Sequence, residues 1–312
     1  MSSSSALPSS AVYLSQITQN DNFEGETFHK FFDCWLAEQN KHLDDLFAAE
    51  SSSSSKQNSN NNNNNIEDQD LKPLIDRVIS HYEHYYEAKS MWAKQDVLAI
   101  LSPSWMSSLE EAFLWIGGWR PTMAFHLLYS KSGLQFEARL RELMEGFRVC
   151  DLGDLSASQL TQLDRLQRKT IREEREITEM MARQQESVAD ASMVELSHAV
   201  SEMMRRKEGG REREKEREME ERVEETLGMK KVGLEEILKK ADDLRVKTLK
   251  GIVGVLTPKQ GIHFLIAAAE LHLRLHEWGK KKDARKETMT RKTSSTPMLY
   301  NIAFIGDSLE KK

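Results

Sequence analysis

LTPKQGIHFLIAAAELHLRLHEWG, residues 256–279, is the stretch that decides the fold class. Thr257 is a residue type that caps helices, and Pro258 follows at the first helical position, where the fixed φ and missing N–H of proline are tolerated. Gly279 stands where a glycine would end the helix. The sequence therefore predicts one helix from Pro258 to Gly279.

The two faces of this predicted helix differ in character. A helix turns by about 100° per residue, which separates a polar face from a face of small or apolar residues and histidines. The polar face carries His263, Glu270, Arg274 and Glu277, and the opposite face carries Leu265, Ala268, Ala269, His272 and His276. The two histidines of the second face are four residues apart, so their rings lie one turn apart on the same side. We predict that both imidazoles point inward.

Composition and length indicate one large domain. The chain has 312 residues, of which 39% are hydrophobic, enough for a sizeable core. The N-terminal residues are not typical of a signal peptide, and the longest apolar run is shorter than the about 20 residues that span a membrane. We expect no membrane segment and a location in the nucleus, the cytoplasm or both. The net charge of −6 gives no general attraction to nucleic acid.

An aromatic segment follows the N-terminal arm. Between residues 26 and 49, large apolar side chains recur at helical spacing, and core packing is the first explanation for them. Periodic segments of the same kind cover residues 71–94 and the long stretch that begins at Ser156, a capping residue. The sequence thus predicts an all-α protein, an irregular multi-helix bundle with long helices, a disordered N-terminal arm and a Ser/Asn-rich loop.

The division of the chain follows from its composition. A helical domain is predicted over residues 27–279, and the segments that interrupt or flank it are polar, charged or of low complexity. We predict a disordered arm over 1–26, a low-complexity loop over 51–66, a charged insert over 205–222 and a basic, flexible tail over 280–312.

The middle of the chain contains a glycine pair between two predicted helices. One helix is predicted from Pro103 to the Gly117–Gly118 pair, a second begins at Pro121, and a third covers Gly133 to residue 147. Arg120, between Trp119 and Pro121, is predicted to contact a helix C-terminus or a carboxylate.

Motifs of catalysis are missing from the sequence. It has no phosphate-binding loop, no dinucleotide fingerprint and no paired CxxC, and neither Cys34 nor Cys150 belongs to a disulfide framework. HLRLH has the histidine spacing of HExxH, but Leu273 replaces the glutamate that a metalloprotease requires. We predict a protein that is not an enzyme.

Four blocks carry a family resemblance. Residues 241–279, the FLWIGGWRP of 113–121, the helical block 163–185 and the FDCWLAEQ of 32–39 stand in the order found in the plant delay-of-germination family. That family shares its domain with the C-terminal region of TGA transcription factors. The resemblance implies a helical regulatory protein of plant development, of the seed maturation or dormancy type, acting through protein–protein interaction.

Two kinds of partner follow from the resemblance. Family members dock type 2C protein phosphatases through a segment to which Phe32, Trp35, Leu36 and Gln39 correspond, and transcription factors are the other expected partners. The alternative function is a transcriptional regulator that binds a specific DNA sequence, as TGA factors do. The basic region and zipper that such factors use are missing before Phe28. A homodimer is left open.

The resemblance also implies a cofactor. Two histidines of the family's LHLSMHEWG segment are associated with haem, and His272 and His276 correspond to them. The residues themselves leave three explanations open for this pair: ligands of haem iron, a satisfied pair in the core, or ligands of zinc or another metal.

Overall fold

Helices make up nearly all of the structure. The computed structural model describes residues 8–20, 25–56, 64–142, 152–205 and 213–294, and within those ranges the only β feature is one isolated bridge. The α-helices are α1 Ser10–Asn20, α2 Gly25–Lys56, α3 Asn64–Leu101, α4 Ser108–Glu111, α5 Met123–Glu142, α6 Ala157–Glu186, α7 Ala191–Arg205, α8 Arg213–Val255 and α9 Pro258–Ser294. The predicted all-α class with long helices is confirmed. Among the helices described, none combines the length and the apolar character that crossing a membrane requires.

The main core lies where α2, α3 and α9 meet, and α8 packs between α3 and α6. The aromatic side chains at the start of α2, Phe28 to Trp35, are buried, with Phe28 against Trp92 at 5.1 Å and against Trp105 at 4.6 Å between ring centroids. Each large apolar side chain removed from water stabilises the fold by on the order of 2 kcal/mol. The helical periodicity of residues 26–49 therefore reflects core packing.

Local capping fixes the starts of α6 and α9 as predicted. Ser156 forms a capping box with Gln159 ahead of α6. The Thr257 hydroxyl accepts from the Gln260 amide at 3.3 Å, and the Gln260 side chain accepts from the Thr257 amide at 3.0 Å. Two amides that the helix leaves without partners are thereby satisfied. Pro258 is the first residue of α9, as the sequence predicts.

The predicted end of α9 is wrong. The helix passes through Gly279 and continues to Ser294, so part of the predicted flexible tail 280–312 is helical and residues 295–312 lie outside the described ranges. A Cβ at Gly279 would lie 1.9 Å from Oγ and 2.6 Å from Cβ of Ser107. Residue 279 is glycine because α9 passes close to the turn before α4, not because the helix stops there.

We expect Gly279→Ala to lower the free energy of unfolding by about 1–3 kcal/mol, since the added methyl group overlaps Ser107 and forces α9 away from α4. The matched control is Gly228→Ala in α8, where an added Cβ meets no atom within 4 Å beyond its chain neighbours and the backbone of its own helix, and the substitution stabilises the helix by about 0.5–1 kcal/mol. Urea unfolding followed by circular dichroism measures both. A Gly279→Ala protein as stable as the parent would contradict this explanation.

The N-terminal arm differs from its prediction at Ser10–Asn20, which forms α1. The amide and hydroxyl of Ser10 donate to the Glu38 carboxylate at 3.0 and 2.5 Å, and Ile17 is buried in the core. The contacts of Ser10 and Ile17 hold α1 against the domain, and the composition of the arm does not predict them. Residues 1–7 and 21–24 lie outside the described ranges.

Two segments predicted to interrupt the domain, the low-complexity loop and the charged insert, are partly helical. Helix α2 extends to Lys56 and α3 begins at Asn64, so of the predicted loop 51–66 only 57–63 lies outside the described residues. Of the charged insert 205–222, Arg205 ends α7 and α8 begins at Arg213, and 206–212 is not described.

The segment between α3 and α5 departs most from expectation. The predicted helix from Pro103 to Gly117 is reduced to the single turn α4, capped by Ser107, and beyond it Ile116 and Gly117 take left-handed φ values of 46° and 66°. The predicted break at Gly133 does not occur: α5 runs from Met123 through it to Glu142.

Candidate functional site

His276 is held by a carboxylate from another helix. Its Nδ1 lies 3.0 and 3.1 Å from the two carboxylate oxygens of Glu110, which also accept from the Ser107 amide and hydroxyl. Burial alone would raise the pKa of Glu110, but the hydrogen bonds from His276 and Ser107 outweigh it and lower that pKa. The other side of the imidazole meets the Phe32 ring, 5.6 Å between centroids. His276 is thus oriented by one specific partner.

His272 faces a different environment one turn earlier. Its ring lies 5.5 Å from that of Trp35, and within the described part of the chain no residue hydrogen-bonds to it. Burial is the main cause that lowers its pKa, to about 4, opposed by the nearby Glu110. Near neutral pH, His272 is therefore an uncharged imidazole, and its unprotonated ring nitrogen has a free lone pair. Both histidines point inward, as predicted from the helical period.

The His272 ring contributes to the wall of an apolar cavity of about 190 Å³. The rim includes three exposed apolar side chains, Phe113 (64% exposed), Leu271 (44%) and Met123 (40%). The inner wall is mostly aromatic and aliphatic and includes Trp35, Tyr82, Tyr85, Tyr86, Trp119, Leu127, Leu249, Phe264, Ala268 and Leu275. The cavity therefore suits a largely apolar guest that presents one polar or metal centre to His272.

The two histidines are suitable ligands for a haem iron, but the cavity is small for the haem ring. A neutral histidine at an apolar wall, beside a second histidine whose Nδ1 is fixed by a carboxylate, is the arrangement that axial ligation uses. The enclosed volume is below the about 300 Å³ at which small-molecule pockets begin. In the described ranges no set of three or more His, Cys, Asp or Glu is placed to hold a metal ion, so a zinc ion at His272 and His276 would need water or another group to complete its coordination.

A buried charged cluster, which the sequence did not predict, lies next to the cavity and contributes Lys89 to its wall. Lys89 on α3 and Arg245 on α8 both contact the Asp242 carboxylate, and Lys89 lies 2.9 Å from its Oδ1. Burial lowers the pKa of Lys89 to about 8, although Asp242 opposes this effect. We call Lys89, Asp242 and Arg245 the clamp.

The clamp holds the loop 115–119, the centre of FLWIGGWRP. Arg245 donates to the carbonyl oxygens of Trp119 at 2.7 Å, of Ile116 at 2.9 Å and of Trp115, while Lys89 donates to that of Gly117 at 2.7 Å. These bonds satisfy carbonyls that the left-handed turn removes from any helix. The motif is therefore a loop recognised by buried cations.

The glycine pair has a steric role in the same loop. A Cβ at Gly118 would lie 2.9 Å from Cζ of Arg245, and a Cβ at Gly117 would lie 2.9 Å from a methyl group of Leu238. A side chain at either position would displace the loop from α8. Asp242 and Arg245 lie within the 241–279 block. The sequence signal that could have predicted the clamp was the presence of these charged residues in an otherwise apolar helix face.

Arg120 meets a carboxylate, one of its two predicted roles. Its Nε lies 2.8 Å from Glu174 on α6, and Glu174 also accepts from the Thr122 amide at 2.6 Å. The bond fastens the start of α5 to α6.

Three of the four predicted phosphatase-docking residues lie in the core. Phe32, Trp35 and Gln39 are buried, and Leu36 is half-buried. The Trp35 indole donates to the His81 carbonyl at 3.1 Å. Core packing uses the three buried side chains, so Leu36 is the one that a partner could contact while α2 is in place. Phosphatase docking through this segment stays a prediction.

Comparisons with known proteins are consistent among themselves. A family model described as "Seed dormancy control" matches residues 41–130. Protein DOG1-like 3 of Arabidopsis thaliana is 32% identical over 81% of this chain and 83% of its own length, and Protein DOG1-like 4 of the same plant is 33% identical over 84% and 95%. Transcription factor HBP-1b(c1) of Triticum aestivum is 27% identical, over 77% of this chain and 42% of its own length.

Proposed function

The chain belongs to the DOG1 family of seed dormancy control, and from that premise we propose that it is a non-enzymatic regulator of plant development that acts by binding other proteins. The observation that carries the proposal is the alignment with DOG1-like 4, which spans 95% of that relative. What the two chains share is the helical domain itself, so the regulatory activity is assigned to its surfaces. The process is of the seed maturation or dormancy type, in the nucleus, the cytoplasm or both.

The rim of the cavity is the surface that supports this proposal. Phe113, Met123 and Leu271 are large, exposed apolar residues that line the same cavity. Exposed apolar clusters of this kind mark interaction sites on soluble proteins. Transcription factors and type 2C phosphatases are the partner classes to test there, in place of the buried residues of α2.

Partner binding is tested by affinity purification from developing seed, comparing the parent protein with Phe113→Ser. We expect the variant to lose the transcription factors or phosphatases that the parent enriches, because its exposed ring is removed without touching the core. Val194→Ser, a change at an exposed apolar residue on α7, is the matched control and should keep them.

Direct DNA binding is the competing function, and the same purified protein decides it. On a TGACG-type probe we expect no salt-dependent binding, since the net charge is −6. Two results together would overturn the proposal. They are tight, salt-dependent binding of the probe by the protein alone, and a set of purified partners that is the same for the parent and for Phe113→Ser.

Haem binding is a second proposal, favoured by the neutral His272 at the apolar cavity and by the Glu110 contact of His276. His272 and His276 are the residues that would hold the iron. A bound haem would supply a redox-active iron centre.

The haem proposal predicts a Soret shift on titration that disappears in the double variant His272→Ala, His276→Ala. The exposed His126→Ala is the control and should leave the shift intact. Far-UV circular dichroism must show that the double variant is folded, because Glu110 loses its partner in it. A spectrum that is the same in the parent and in a folded double variant would exclude both histidines as ligands.

A further inference from the structure

Three buried polar atoms without partners lie between α2 and α3, away from the cavity. They are Oε1 of Gln39, Nδ1 of His42 and Nε2 of His81. Each such atom costs about 1–3 kcal/mol when left unsatisfied, and folded proteins rarely accept that cost three times in one place. The cluster therefore indicates a bound ion or small molecule that interacts with all three atoms.

The rings of His42 and His81 are close enough to share one ion. Their centroids are 4.7 Å apart and their planes are inclined by 61°. Two imidazoles bound to a common zinc-type ion have centroids on the order of 5 Å apart, because each metal–nitrogen bond is about 2.0–2.1 Å long. Gln39 is one turn before His42 on α2 and fully buried, so its carbonyl belongs to the same side of the helix.

His81 is fixed in position by its surroundings. It stacks on Trp35 with centroids 4.6 Å apart and planes inclined by 1°, and its side chain is only 5% exposed. Its Nδ1 faces Glu38 Oε2 at 3.7 Å, and Glu38 is itself held by Ser10. A carboxylate on the Nδ1 side favours a proton there and leaves a lone pair on Nε2, as in carboxylate–histidine–metal arrangements.

Both imidazoles are in the protonation state that metal ligation needs. Burial is the main cause that lowers the pKa of His81, to about 3, with His42 and His84 adding to the effect. Burial and then Arg77 lower the pKa of His42. Neutral imidazole is the ligand form.

We propose that His42 and His81, assisted by the Gln39 carbonyl, bind a divalent late first-row transition metal ion such as Zn²⁺ or Cu²⁺ between α2 and α3. Imidazole nitrogen suits these ions. Water completes the coordination, since no third His, Cys, Asp or Glu is placed for it in the described ranges. His42 is only half-buried, which gives the ion a route from solvent.

The charges around this place are mixed. After burial, Arg77 has the largest effect on the pKa of His42 and lowers it, whereas Asp45 and Glu38 raise it. Arg77 and Asp45 are paired with each other at 2.7 Å, which leaves the Glu38 carboxylate, 3.7 Å from Nδ1 of His81, as the charge that favours a cation. A buried water is the competing occupant, since it would bond to the same atoms.

The test is calorimetric titration of the full chain with Zn²⁺. We expect one site whose affinity falls at least ten-fold in His42→Gln and in His81→Gln. His84→Gln is the matched control: its Nε2 is also buried without a partner, but its ring packs on Phe31, and we expect less than a two-fold change. His42→Gln keeps the result interpretable if the more buried His81 variant fails to fold.

Two further readouts separate this site from other histidines. The Cu²⁺-loaded parent should show two-nitrogen hyperfine coupling by electron paramagnetic resonance, reduced to one nitrogen in His42→Gln. The rise in Tm with Zn²⁺ should disappear in the same variant. Absence of Zn²⁺ binding, which would leave a buried water as the occupant, overturns the proposal. So does binding that survives His42→Gln, or binding that is lost in His272→Gln.

Discussion

Arg245→Met is expected to lower the free energy of unfolding by about 3–5 kcal/mol, the typical cost of breaking a buried, hydrogen-bonded charge cluster. The substitution keeps most of the side-chain volume, so the loss is of bonds and not of packing. The partly buried carbonyl oxygens of residues 115, 116 and 119 would lose their guanidinium donor, and among the described residues only that of Trp115 would keep another, the Gly118 amide. Asp242 would keep Lys89 as its only cation in the clamp.

Urea unfolding gives the magnitude, and two variants show its origin. Arg245→Lys should not restore stability, because one ammonium group cannot reproduce the planar set of donors aimed at three carbonyls. Arg274→Met removes an arginine of an exposed ion pair on α9 and should leave stability nearly unchanged, since solvent screens that pair. A loss below about 1 kcal/mol in Arg245→Met would show that the clamp does not hold the loop.

Acidification from pH 7 to pH 5 is expected to remove about 3–4 kcal/mol of stability through two inward-facing histidines. His272 and His81 have pKa values lowered to about 4 and about 3, mainly by burial, from the usual 6.5. Between 6.5 and those values the unfolded chain binds protons that the folded chain does not. Stability therefore rises with pH across this window and falls as the pH drops through it.

The measurement is the free energy of unfolding in urea at pH 7 and at pH 5. His272→Phe removes one of the two groups and should reduce the loss by about half, whereas His126→Phe changes an exposed residue and should not alter it. Equal stability of the parent at both pH values would mean that these imidazoles are not held neutral in the fold.

The success of the sequence-based prediction depends on how local each feature is. The start of α9 was predictable because Thr257 and Gln260 are three residues apart and satisfy each other. The end of α9 was not predictable from the sequence. A glycine before a basic stretch can end a helix, or it can allow the helix to pass close to another segment, and the sequence is the same in both cases. Ser107, far away in the sequence, makes Gly279 a packing residue.

The candidate site shows the same division. The helical period alone places His272 and His276 on the inner face of α9. Nothing in one sequence pairs His276 with Glu110, or joins Lys89 to the loop after Trp115, since those partners come from separate helices. The resemblance to relatives of this family marked the FLWIGGWRP block as important, but only the coordinates show that Arg245 holds it.

The contact between α2 and α9 has a consequence for protein synthesis. Trp35 and Phe32 pack against the rings of His272 and His276, which the ribosome adds almost at the end of the chain. At 5–20 residues per second, the part of the α2 aromatic face that α9 covers stays without that helix for roughly 10–50 s, with α3 as a partner. The nascent chain thus has a partly exposed, aggregation-prone aromatic face until α9 is made, and we expect its yield in cells to depend on chaperones that engage emerging polypeptides.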